Sequence, residues 1–193
     1  MSEKYKYFVD KIANKLVASH TIDAAEIEAY KFGIEVTILK IIHYVSYIAI
    51  ALCMRKFLEA VVIFAVLYTF RRNTGGFHAK TRLGCYAFSC AVIFLSLLST
   101  HLSIDWRVLT AVSILDLVVL LILSPVQHSN RRMDVDDIGY FRRRLMYVST
   151  LYAVLYIVTT GLGAEYCIAL YTIGLTCNIL LTIMGKLQTI KQS

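Results

Sequence analysis

WRVLTAVSILDLVVLLILS, residues 106–124, decides the fold class. It is nearly unbroken hydrocarbon, and a helix needs about 20 such residues to cross the roughly 30 Å apolar core of a bilayer. The one acid in it, Asp116, is expensive at that depth and so marks either a functional group or a polar contact between helices. Lys40 in another apolar run is a conceivable partner for it, and orienting a histidine is a conceivable task.

Outward from this stretch, five more apolar runs appear, at about 34–54, 57–70, 83–100, 145–162 and 164–184. The 193-residue chain is 58% hydrophobic and only 17% charged, more apolar and less charged than an ordinary soluble domain. These runs read as an all-α integral membrane protein with about six transmembrane helices. The 57–70 run is the short one: 14 residues rise about 21 Å at roughly 1.5 Å each. Snorkelling by Lys56 and Arg71, local thinning or re-entry would each accommodate it.

Basic residues set the orientation. With six spans and the N-terminus inside, 16 of the 20 Lys and Arg fall on the cytoplasmic side. Arg55, Lys56 and Arg107 lie outside, and Lys40 lies within a span. If the 57–70 run did not cross, the basic loops would not collect on one side. Both termini and the 71–82 loop are therefore expected in the cytoplasm. The net charge of +7 follows from this topology and from an acidic ligand; nothing points to nucleic acid.

Before the first run, Phe8, Val9, Ile12, Ala13, Leu16 and Val17 recur at helical spacing beside Lys4, Lys6, Lys11 and Lys15. That predicts an amphipathic helix lying on anionic lipid. Asp23 with Glu26 resembles a capping box for a second short helix. The chain thus divides into a cytoplasmic amphipathic region at 1–33, a polytopic domain at 34–185 and a cytoplasmic tail at 186–193.

The 71–85 loop, RRNTGGFHAKTRLGC, is the candidate site. Its bland reading is a glycine turn with topology-setting charges and a packing cysteine. Its chemical reading starts from Cys85, in the first turn of a predicted helix. There the macrodipole, Lys80, Arg82 and a neighbouring imidazole all favour thiolate. On one continuous helix, His78 and Cys85 would lie about 10 Å apart along the axis, too far for proton transfer at about 3 Å. The helix must therefore start after His78, and Gly75, Gly76 and Gly84 permit the fold-back.

The string Arg71-x-x-x-Gly75-Gly76-x-His78-Ala79, followed by Cys85, resembles the accessory gene regulator B family. So do the six-run hydropathy, the basic N-terminal region, and Ser124-Pro125-Val126 with Asn130. The resemblance implies a membrane cysteine peptidase of quorum sensing in a Gram-positive bacterium. Such a protein removes the C-terminal tail of an autoinducer propeptide and closes a thiolactone or lactone ring. Carried over, Cys85 is the nucleophile and His78 the base, while Arg71, Gly75 and Gly76 support activity or local structure. No cofactor is implied, and the histidines and cysteines form no metal-ligand cluster.

Arg131, Arg132, Arg142, Arg143 and Arg144 either hold an acidic propeptide tail or serve topology and pair with Asp134, Asp136 and Asp137. Glu35 is a second possible partner for His78. Cys90, about 140° round the helix from Cys85, reads as packing; Cys53 and Cys167 both fall near the outer face and read as free thiols, with a disulfide between them as the alternative. Gly161, Gly163, Gly174 and Gly185 permit close helix packing, with a homodimer seam as one use. The competing readings are a small transporter or exporter, on the strength of Lys40, Glu59 and Asp116, and a non-enzymatic scaffold.

Overall fold

The computed structural model describes residues 3–19, 21–77, 79, 81–126 and 133–191, with side chains from residue 7 onward. Within them are seven α-helices: α1 (Glu3–Ala18), α2 (Ile27–Cys53), α3 (Phe57–Thr74), α4 (Arg82–Ser99), α5 (Trp106–Leu123), α6 (Val135–Gly161) and α7 (Glu165–Ile190). No strand occurs among the described residues. Each of the six apolar runs falls on one of α2 to α7. Four helices are long and apolar enough to cross a membrane by themselves: α2 with its preceding turn, α4, α5 and α7. α3 carries Glu59, Arg71 and Arg72, and α6 carries five charges in its first ten residues, which dilutes both. Leu58, Leu95, Ile122 and Ile157 are all more than half exposed. Lipid solvates side chains that water would not.

The chain forms two compact units, Met1–Ser46 and Tyr47–Ser193. In the first, Val9 and Ala13 of α1 are buried while Tyr7 and Phe8 stay exposed. Lys31 bridges Asp10 and Glu28 at 2.9 Å each. The expected second short helix is not separate. Asp23 accepts from the Ala25 N–H and caps a three-residue 3₁₀ turn, Ala24–Glu26, that runs directly into α2.

In the second unit α7 is the central helix and packs against α3, α4, α5 and α6. Ile168, Leu175 and Ile179 join Phe70, Leu109, Leu120, Leu145, Tyr152 and Tyr156 in one core. Leu170 and Leu181 join Ala51, Ile63, Leu67, Ile93 and Leu97 in another. At about 100° per residue these two sets lie on opposite sides of α7. A helix apolar all round is one buried all round. Hydroxyl groups tie the bundle further: Ser113 lies 3.1 Å from Tyr152 and 2.9 Å from Thr172.

The glycines of the last two runs divide. A side chain at Gly174 would meet Val66 Cβ at 2.9 Å, and one at Gly185 would meet Gly76 Cα at 2.5 Å. Both are used within this chain, which removes them from a dimer seam. Gly161 and Gly163 have nothing within 4 Å of a built Cβ.

Candidate functional site

The C-terminal end of α3, residues 75–77, residues 124–126, the first turn of α4 and the second half of α7 meet at one place. Each part is fixed by an identifiable contact. Gly75 takes φ 71 and Gly76 φ 133, values that L side chains rarely adopt. Space is as restrictive as the backbone. A Cβ on Gly75 would lie 2.7 Å from the Val126 carbonyl oxygen, and one on Gly76 only 1.7 Å from an Arg71 guanidinium nitrogen.

Arg71 closes this turn as a fork. Its two terminal nitrogens donate to the Gly75 and Phe77 carbonyls, each at 2.6 Å, as a planar guanidinium can. Burial pulls the guanidinium's pKa below its usual value, and charge on the neighbouring Cys85 opposes that shift. Arginine nevertheless remains protonated.

Further supports come from residues that sequence reasoning missed. The Thr74 hydroxyl donates to Asn178 Oδ1 at 3.0 Å, and Asn178 Nδ2 donates to the Leu67 carbonyl at 2.8 Å. Both side chains are fully buried. The Phe77 N–H donates to the Leu181 carbonyl at 2.9 Å, and the Val126 N–H to the Thr74 carbonyl at 2.8 Å. The Ser-Pro-Val string thus braces the glycine turn. A lone Asn in an apolar helix was the only available signal for Asn178.

Cys85 is the fourth residue of α4. The helix begins at Arg82, after His78, as the spacing required. Thr81 caps it by accepting from the Gly84 N–H at 3.0 Å, and a Cβ on Gly84 would crowd that cap. Cys85 is half-buried on the wall of a cavity of about 220 Å³. Arg71, Phe64, Tyr68, Phe77, Phe88 and Leu181 share that wall. Phe77 and Phe88 pack with ring centroids 5.0 Å apart, joining the turn to α4. Cys90 does not line the cavity.

His78, Lys80, Asn130, Arg131 and Arg132 lie outside the described residues, and with them any partner of His78. Arg144 donates to the Tyr140 hydroxyl at 3.0 Å, while Asp134 caps α6 through the Asp137 N–H. Among the described residues no ion pair joins Arg142, Arg143 or Arg144 to Asp134, Asp136 or Asp137. Asp116 accepts from Thr176 at 2.6 Å and Glu59 from Tyr166 at 2.9 Å; each is a polar contact between helices. All five cysteines are free thiols. Among the described residues no three His, Cys, Asp or Glu side chains converge.

Fold and site together define a multi-pass α-helical membrane protein with a cavity-facing thiol at the start of a helix. The chain belongs to the accessory gene regulator B family, which it matches over residues 9–190. Membership places it in the processing of quorum-sensing peptides. No curated protein and no solved structure matches the chain.

Proposed function

We propose that this chain is a membrane-embedded cysteine endopeptidase that removes the C-terminal tail of an autoinducer propeptide. The observation that carries the reading is the position of Cys85, in the first turn of α4 and on the wall of the cavity beside Arg71. A helix N-terminus favours the thiolate, which is the nucleophile. Cys85 attacks the scissile carbonyl, and His78 gives a proton to the departing amine. His78 holds this role on the family's motif spacing. The bond lost is the amide; the bond gained is a thioester on Cys85.

A thioester retains the acyl energy that hydrolysis would release. Attack by an internal cysteine or serine of the peptide then closes the thiolactone or lactone and frees Cys85. An apolar wall limits competing water, a condition that favours cyclisation over hydrolysis. Arg131 and Arg132 are proposed to hold the acidic tail. The accompanying topology has six spans and cytoplasmic termini, with the turn between α3 and α4 on the side where an unsecreted propeptide is found.

Co-expression with the propeptide encoded alongside tests the reading. A thiol-dependent mass shift of that peptide is expected, absent in Cys85→Ala and His78→Ala at equal expression. Tail removal that persists in either variant removes that residue from the mechanism.

A further inference from the structure

The cavity at Cys85 has a chemistry beyond that of holding a thiol. Its volume of about 220 Å³ leaves room for one large side chain. Its wall is aromatic and aliphatic: Phe64, Tyr68, Phe77, Phe88 and Leu181. Its guanidinium gives one N–H from each terminal nitrogen to the Gly75 and Phe77 carbonyls. A charged substrate group would lose most of its water against that wall, which is costly. Ser89 lies one helical turn beyond Cys85 and faces the same cavity.

Resting on the peptidase reading above, we propose that this cavity is the acyl-side specificity pocket. It accepts a large apolar side chain on the residue whose carbonyl is joined to Cys85. That residue stays on the enzyme through both steps, whereas the cleaved tail leaves after the first. Occupancy by an apolar side chain also covers the thioester, so selection and protection from water come from the same contact.

The test needs no knowledge of the propeptide. The full chain in detergent is treated with N-acetyl-aminoacyl benzyl thioesters of leucine, phenylalanine, glycine, aspartate and lysine. In each reaction Cys85 sulfur bonds to the acyl carbon, the carbon–sulfur bond to the benzyl thiol breaks, and that thiol leaves with the Cys85 proton. Peptide mapping reads acylation at Cys85 relative to Cys53, which is exposed and reports intrinsic reactivity. The expected ratio is at least tenfold higher for leucine and phenylalanine than for aspartate or lysine. Ser89→Phe is expected to reverse the order of phenylalanine and glycine.

A flat series with Cys85 acylated overturns the pocket and leaves the nucleophile standing. No acylation of Cys85 by any thioester overturns both. Should Ser89→Phe fail to fold, the wild-type series decides alone.

Discussion

Single atoms decide much at the glycine turn. Replacing glycine by alanine inside a helix normally adds up to about 1 kcal/mol of stability. Gly185→Ala is expected to do the reverse, because its methyl group would sit 2.5 Å from Gly76 Cα and 2.6 Å from the Phe77 nitrogen, with backbone on both sides and no side chain to move aside. Gly139→Ala, in α6 with nothing within 4 Å, is the control and should hold or raise the melting temperature. Thermal unfolding in detergent compares the two. Arg71→Lys keeps the charge but loses the fork, so one of the Gly75 and Phe77 carbonyls goes without its donor. The loss of about 1–3 kcal/mol that a buried unpaired group costs should slow tail removal by tenfold or more, while yield from membranes is unchanged. Cleavage at the wild-type rate would show that a single donor is enough to hold the turn.

At the scale of elements, α7 is both the core helix and the brace of the site. Asn178 presents an acceptor to Thr74 and a donor to the Leu67 carbonyl. Asn178→Asp would set acceptor against acceptor at the second contact, in a buried place, at about 1–3 kcal/mol or more. We expect a lower melting temperature and lost tail cleavage, with Asn178→Gln recovering less than half of the activity. Wild-type cleavage in Asn178→Asp would separate α7 from the site. The helices themselves were largely legible. The runs at 83–100 and 106–124 match α4 and α5 to within a residue or so. α2, α3 and α6 run beyond their apolar runs, because polar turns at helix ends carry no hydropathy signal. α3 reaches 18 residues, but its added turn, residues 71–74, is polar and charged, so the apolar stretch stays at about 21 Å. Of the candidate site, Arg71, Gly75, Gly76 and Cys85 stood together in the sequence. Asn178, Leu181 and Gly185 did not, since only the tertiary fold brings a segment more than 100 residues distant against the turn.

For the whole molecule, the topology proposed from charge becomes a question of accessibility. In a cysteine-free background, Arg55→Cys should react with a membrane-impermeant maleimide on intact cells, and Lys186→Cys only after lysis. Equal labelling of both on intact cells would return α3 to a re-entrant reading. The anchoring of the glycine turn on α7 also has a consequence in time. The turn leaves the ribosome early, and its brace at Asn178 follows 104 residues after Thr74, an interval of about 5–20 s at roughly 5–20 residues per second. During that interval the nascent chain carries its thiol without the scaffold that shapes the site. On the peptidase reading, competence arrives with the last helix, and a half-made copy in the membrane is expected to leave the propeptide uncut.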